Sequence, residues 1–316
     1  MNKIKDMGEF GLIDKITKKP IDENIVVGIG DDAAVIKPKN MLVLTTDCLV
    51  EGDHFRKDWF TPEQIGMKAI EINVSDIAAM GAAPKYVLVS LAIPKDLDVK
   101  FFEGIYKGMW KVCEKYKIEI IGGNMTHCEN IVISITLTGE VDKKNLSLRS
   151  GAKPGDYIVT TGHLGNGRAG LRMFQEKIEG YKEVKKKYLE PKAQLKKALK
   201  LAPFVNSMID VSDGLASEIK HICIESKCGA IIYKDKIPIS DEVRGIAKKL
   251  GEDEYDYALF GGEDFELVCT VSKENIDKAN GFLVGEITDN NKIILSSNGK
   301  DTFIDKRGYD HFSTML

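Results

Sequence analysis

Residues 61–81 read TPEQIGMKAIEINVSDIAAMG, and this stretch decides what kind of fold the chain can adopt. Ile65, Ala69 and Ile72 fall at the i, i+4, i+7 spacing of one helix face. Thr61 suits an N-cap, Pro62 the first helical position, and Gln64 completes a capping box. Gly81 suits the left-handed residue that ends a helix. A helix is therefore expected over 62–80. The flanking runs have the other period. Met41 to Thr46 and Tyr86 to Ile93 are rich in Val, Leu and Thr and read as strands, as do Val26 to Ile29 and Ile131 to Val141. A second helix is expected over 99–117. Strands alternating with helices make the first half α/β.

The helix carries one residue that its stripe does not explain. Asp76 lies four positions after Ile72 and seven after Ala69, on the core-facing side. A carboxylate there is costly unless a cation or donors meet it. Rotation to solvent at the helix end is the plain alternative, but an acid in a last turn opposes the helix dipole. The metal reading is the better one.

The other acids fall into short segments read as turns, most of them at strand ends. These are Gly30-Asp31-Asp32, Thr45-Thr46-Asp47, Glu51-Gly52-Asp53, Asp210-Val211-Ser212-Asp213-Gly214 and Gly261-Gly262-Glu263-Asp264, with Gly122-Gly123-Asn124 carrying an amide instead. Any one of them fits turn chemistry. Together they exceed it, and hard oxygen ligands gathered this way suit Mg²⁺, to which Thr45 and Thr46 could add hydroxyl or carbonyl oxygens. Carboxylates alone would repel phosphate, so Mg²⁺ in number points to a polyphosphate substrate.

Composition excludes several classes. The 316 residues allow about two domains, and the net charge of −3 leaves no basic surface for nucleic acid. No apolar run approaches the roughly 18 residues of a membrane span, and Met1 to Asp6 lacks a signal-peptide core, so a cytoplasmic location is expected. The six cysteines form no C-x-x-C pair and the five histidines no zinc spacing. Gly165-Asn166-Gly167-Arg168-Ala169-Gly170 matches G-x-G-x-x-G, but a charged helical segment follows it, so dinucleotide binding is rejected. The loop could still offer backbone N–H groups to an anion.

A turn-rich stretch, Arg149 to Asp156, separates the halves. The expected domains are residues 1–148, binding metal and ATP and dimerising, and residues 149–316. In the second half Tyr157 to Thr161, Ala230 to Tyr233 and Leu267 to Val271 read as strands, and Arg168 to Glu179 and Ser212 to Ser226 as helices, an α+β pattern. Residues 176–200, dense in Lys and Glu, read as a solvated helical excursion.

At this point the motifs as a set resemble the thiamine-monophosphate kinases of the aminoimidazole-ribonucleotide-synthetase-like superfamily. The matching segments are Gly30 to Val35, Thr45 to Phe55, Asn73 to Pro84, Asp210 to Leu215 and Gly261 to Leu267, and the likeness runs from Gly8-Glu9-Phe10 to Gly308 to Phe312. The resemblance implies a homodimer with an N-terminal mixed α/β domain and a C-terminal α+β domain. It implies ATP-dependent phosphorylation of thiamine monophosphate to thiamine diphosphate. By motif, several Mg²⁺ ions would be held by Asp31, Thr45, Thr46, Asp47, Asp76, Asp210 and Asp213, with Asn124 at one further position. ATP would contact Tyr106, Gly123, Arg149 and Ser212. The thiamine phosphate would meet His54, Glu263 and a C-terminal aromatic, Tyr309 or Phe312.

One departure stands out: Asn124 occupies a position where the family usually has Asp. Asn keeps a neutral oxygen but removes a charge. The acceptor is a phosphate monoester with a second pKa of about 6, already anionic at neutral pH, so no general base or covalent nucleophile is required. Direct in-line transfer is expected, with Mg²⁺ offsetting the repulsion of two phosphates. Related ATP-dependent enzymes of the superfamily fit less well. A selenophosphate synthetase would need a Cys or selenocysteine near the N-terminus, whereas the first here is Cys48. The hydrogenase-maturation member would need a C-terminal Cys, whereas this chain ends Ser313-Thr314-Met315-Leu316.

Overall fold

The computed structural model describes residues 3–18, 21–29 and 33–304. The chain forms two compact units: Met1–Ile77 with Ala82–Lys143, and Ala78–Gly81 with Lys144–Leu316.

The first unit runs α1 (Ile4–Ile16), β1 (Ile25–Val27), β2 (Val35–Ile36), β3 (Met41–Val50), α2 (Pro62–Ala79), β4 (Ala83–Ile93), α3 (Val99–Tyr116), β5 (Glu119–His127) and β6 (Val132–Val141). Four strands make a sheet in the order β3-β6-β4-β5, with β4 and β5 parallel and the other pairs antiparallel. The expected capping box is present: Gln64 N–H donates to Thr61 Oγ1 at 3.3 Å and Thr61 N–H to Gln64 Oε1 at 3.0 Å. The α2 stripe is buried, with Ile65 and Ala69 fully so.

Two segments expected as turns are mid-strand. β3 continues four residues past Thr46 and pairs with β6 along its whole length, so Thr45-Thr46-Asp47 lies in its middle. Gly122-Gly123-Asn124 lies inside β5. The glycines there serve close strand approach rather than a turn: a Cβ at Gly123 would stand 2.0 Å from the Val89 carbonyl oxygen.

α2 and α3 also approach closely. A Cβ at Gly66 would lie 1.9 Å from the Ile105 carbonyl oxygen and 2.9 Å from Met109 N, both backbone atoms of α3. Gly66→Ala must therefore push the helices apart. It is expected to destabilise by about 2–3 kcal/mol, read as a fall of roughly 5–10 °C in Tm, while Ala at the exposed Lys111 leaves Tm within a degree or two.

The second unit contains β7 (Tyr157–Thr160), α4 (Asn166–Gln175), α5 (Lys182–Leu189), α6 (Leu195–Leu201), β8 (Ser207–Asp210), α7 (Leu215–Ser226), β9 (Gly229–Tyr233), α8 (Asp241–Leu250), α9 (Glu254–Phe260), β10 (Leu267–Val271), α10 (Ile276–Ala279), β11 (Phe282–Thr288), β12 (Ile293–Ser297) and β13 (Lys300–Phe303). Its seven-stranded sheet has the order β13-β12-β9-β11-β7-β10-β8. A core of Ile209, Val211, Leu215, Ile219, Ile246 and Leu259, among others, lies against it.

The expected helix over 168–179 starts and ends earlier as α4, and the one from Ser212 starts three residues later as α7. The charged stretch 176–200 is not a solvated excursion. α5 buries Val184, Tyr188 and Leu189, and α6 buries Leu195, Ala198 and Leu201. Long Lys stems can line such helices while their apolar thirds dock, which charge density conceals.

Candidate functional site

In the first unit the site is built where β3 meets the end of α2. Side chains alternate across a strand, and the odd positions of β3 turn toward α2. Thr45 and Asp47 therefore share the covered face, and Thr45 Oγ1 donates to Asp76 Oδ2 at 2.5 Å. The Asp47 carboxyl is held up at about 6, chiefly by burial and then by the charge of Asp76, with which it also hydrogen bonds. Two carboxyl groups are thus held side by side. One site cannot keep both ionised cheaply unless a proton or cation is shared between them. Hard oxygen donors of this kind fit Mg²⁺.

The alternation also separates residues that adjoin in sequence. Thr46 turns to the opposite, exposed face, where its hydroxyl donates to the Ile135 carbonyl at 2.9 Å. Asn124 sits on β5, the far edge of the sheet from β3, in register with exposed Ser90. Gly123 is one residue before it. Within one chain, Asn124 does not join the Asp47–Asp76 pair.

His54 ends a tight turn after β3, with its Nδ1 accepting from Val50 N–H at 3.2 Å. Its carbonyl accepts from Lys68 Nζ at 3.0 Å, and Lys68 is fully buried. The reading of the sequence passed over Lys68. The signal was available: it is three residues after Ile65 and four before Ile72, inside the stripe that singled out Asp76. Tyr106 is nearly buried on α3 beside Phe102, and burial raises its phenol. It borders a cleft of about 420 Å³ that is also lined by Lys15, Lys107, Trp110 and Lys111.

In the second unit Asp210 ends β8 and is 4% exposed. The chain then turns through Ser212 and Asp213 into α7. Asp213 N–H donates to Glu218 Oε1 at 2.9 Å. Glu218 is buried, and burial first and Asp210 second push its carboxyl up to about 8. It too occupies an apolar stripe, with Leu215, Ile219 and Ile222, and the same signal could have found it. The positive charge of Arg149 reaches Glu218 and also His221, whose imidazole is lowered by burial and then by that charge.

Glu263 is tied to the same turn. Its N–H donates to the Ser212 carbonyl at 2.8 Å, and Phe265 N–H donates to the Val211 carbonyl at 2.9 Å. The G-x-G-x-x-G loop does present its N–H groups to a carboxyl group, the protein's own Asp264, which burial raises to about 7 against the pull of those N–H groups. Its carboxylate accepts from Gly165, Asn166 and Gly167 N–H at 2.6, 2.7 and 3.1 Å, at the start of α4.

Asp31, Tyr309 and Phe312 lie outside the described residues. Among the described residues, no three His, Cys, Asp or Glu side chains stand close enough to hold a metal ion by themselves. Mg²⁺ usually keeps several waters and is held by one or two carboxylates plus substrate phosphate, which the Asp47–Asp76 pair can supply in part.

Comparison with known proteins gives the family. Residues 30–141 match the AIR synthase related protein N-terminal domain, and residues 153–296 the C-terminal domain. Thiamine-monophosphate kinase of Aquifex aeolicus is 38% identical over 98% of this chain and all of its own length. That of Bacillus subtilis is 35% identical over 97% of this chain and all of its own. Among solved structures, AaThiL complexed with AMPPCP and TMP superposes with a TM-score of 0.80 at 36% identity, covering 99% of both chains. Hydrogenase maturation protein HypE in complex with ATP, at 18% identity and a TM-score of 0.76 over 96% of this chain and 94% of its own, shares the fold.

Proposed function

The chain belongs to the AIR synthase related family and, within it, to the thiamine-monophosphate kinases; from that premise we infer that it phosphorylates thiamine monophosphate with ATP, giving thiamine diphosphate and ADP. The observation that carries this reading is end-to-end likeness to a kinase solved with an ATP analogue and thiamine monophosphate.

Asp47, Asp76 and Thr45 would hold Mg²⁺ in the first unit, and Asp210 and Asp213 in the second. Asp31 completes the proposed set, together with Thr46, which would offer its carbonyl since its side chain faces away, and Asn124, which would come from a second copy. Mg²⁺, when bound, supplies the positive charge that lets two phosphates approach. With a cation bound there, Asp47 and Asp76 would both stay ionised, because its charge would offset their mutual repulsion. Thr45 orients Asp76 through its hydroxyl. Arg149, Ser212, Gly123 and Tyr106 are proposed to bind ATP, and Arg149 adds positive charge where phosphates would lie. His54 and Glu263, with Tyr309 or Phe312, are proposed to bind the thiamine phosphate. The buried Lys68 holds the His54 carbonyl and so orients that turn. Transfer is direct and in line, and no side chain is needed as nucleophile or base.

We further propose a cytoplasmic homodimer, with residues 1–148 as the dimerising domain. Leu42 and Leu44 of β3 and Leu88 of β4 are exposed on the sheet face turned away from α2, where Leu44 is 66% exposed. The separation of Asn124 from Asp47 within one chain is also consistent with a second copy completing the site. Among the described residues no helix is long and apolar enough to cross a membrane.

Incubation with ATP, Mg²⁺ and thiamine monophosphate should yield thiamine diphosphate and ADP in equal amounts. No ATP–ADP exchange should occur without acceptor. Exchange in its absence would mean a phosphoenzyme, and bound ATP without product would mean a different acceptor or a non-catalytic role. In the same assay Asn124→Asp is expected to lower the Mg²⁺ concentration for half-maximal rate several-fold, since a carboxylate holds the ion more tightly than an amide. An unchanged Mg²⁺ dependence would remove Asn124 from the metal set.

A further inference from the structure

The glycine-rich loop 165–167 and the turn 261–265 were separate motifs in the sequence, and the structure joins them through one side chain. The Asp264 carboxylate takes three backbone N–H groups of the α4 start, at 2.6, 2.7 and 3.1 Å. The residues on either side of it, Glu263 and Phe265, have φ of 65° and 50°, the left-handed region that non-glycine residues seldom adopt. Such a conformation persists only where surrounding bonds determine it. Here they are Glu263 N–H on Ser212 O, Phe265 N–H on Val211 O, and the Asp264 clamp. Close packing reinforces the clamp: a Cβ at Gly167 would meet the Gly262 carbonyl oxygen at 2.1 Å and Glu263 Cβ at 3.0 Å.

We propose that Asp264 is a positioning residue for the acceptor side of the reaction: by clamping the 261–265 turn to the α4 N-terminus, it holds Glu263 in the strained conformation that presents its carboxylate to the thiamine portion of the substrate. This rests on the reading that Glu263 meets the thiamine phosphate. It assigns a task to the glycine-rich loop, which serves as a receptor for an internal carboxylate and leaves the nucleotide to other residues. The clamp works on one side of the turn only. Ser212, the proposed ATP contact, is fixed by its own short chain between the end of β8 and the start of α7, and its bond from Glu263 N–H is an additional tie.

Steady-state kinetics on the full-length protein separates this from a merely structural role. Asp264→Ala removes the clamp. Asp264→Asn is the milder variant, since one oxygen still accepts while the amide nitrogen faces an N–H donor. Both should raise KM for thiamine monophosphate about tenfold or more, because displacements near 1 Å cost up to about 10²-fold, while KM for ATP stays within about twofold. Gly167→Ala, whose Cβ would press on the Gly262 carbonyl and the Glu263 side chain while leaving the Asp264 carboxyl in place, should reproduce that signature. Ser240→Ala is the control: Ser240 caps α8 through Val243 N–H, so its loss weakens the same unit by a comparable cap and should leave both KM values unchanged. Equal loss of kcat with unchanged KM in both Asp264 variants would overturn the proposal, as would an equal rise in KM for ATP. Glu263→Ala separates the two layers. If it raises KM for thiamine monophosphate and the Asp264 variants do not, the positioning role is wrong. If Glu263→Ala itself leaves that KM unchanged, the substrate reading of Glu263 fails, and the route assigned to Asp264 with it.

Discussion

Asp76→Asn is expected to lower kcat by at least about 10²–10³-fold with the fold intact, a loss of the size seen when one preorganised charge-stabilising group is removed. Asp76 lies at the centre of the first-unit cluster. It accepts the Thr45 hydroxyl and shares a hydrogen bond with Asp47. An amide there keeps volume and one acceptor but removes the charge that would hold a cation. Asp47→Asn should cost as much. The double variant should cost little more than either single one, because groups that act as a unit are not additive. Thr45→Val removes only the orienting donor and should cost about tenfold. Thermal unfolding supplies the control: the Asn variants should be as stable as the parent without metal, or more so, because the repulsion between paired carboxyls is relieved. Near-normal turnover in Asp76→Asn, with Mg²⁺ dependence preserved, would exclude the Asp47–Asp76 pair from the chemistry.

Chelation of divalent metal should bring turnover to background, and it should also uncover a pH-dependent instability. The Asp47 carboxyl is raised to about 6 from the usual 3.8, by burial and then by Asp76. Below 3.8 both the folded and unfolded chains hold this proton. Between 3.8 and about 6 the unfolded chain has released it and the folded one has not, so unfolding gains as pH rises. At one pKa unit per 1.36 kcal/mol the loss is of order 1–3 kcal/mol, complete above about 6. Glu218, raised to about 8, acts in the same direction over a higher range in the second unit. In chelator, the Tm difference between Asp47→Asn and the parent should therefore grow from pH 4 to pH 7. Mg²⁺ at pH 7.5 should stabilise the parent, by about 2.7 kcal/mol at a hundredfold excess over Kd, and should stabilise Asp47→Asn less. A difference that stays flat with pH would mean that the two carboxyls do not share a proton.

Local rules were enough where a motif's chemistry is local. The capping box at Thr61 and Gln64, the α2 stripe and strand β10 follow from spacing alone, because a helix face or a strand run is set by neighbours in the chain. The buried acid at Asp76 was legible for the same reason: a charge in an apolar stripe has a cost that can be read without coordinates. Lys68 and Glu218 carried that signal as well. The motifs of the resemblance already pointed to an ATP-dependent kinase of thiamine monophosphate.

What tertiary structure decided is which residues meet. Thr45, Thr46 and Asp47 are consecutive, yet β3 runs through them, and pleating sends Thr46 to one face and its neighbours to the other. Gly122 and Gly123 have the composition of a turn, but close pairing with β4 makes them strand, since only a residue without Cβ fits beside the Val89 carbonyl. The acids and lysines of 176–200 hid two docked helices, because packing chooses a face and charge density does not report it. The glycine loop and Asp264 are almost a hundred positions apart. Spacing along the chain carries no information about such a pairing. It exists because β10 and β7 are adjacent in one sheet, and that adjacency brings the turn before one strand to the loop after the other.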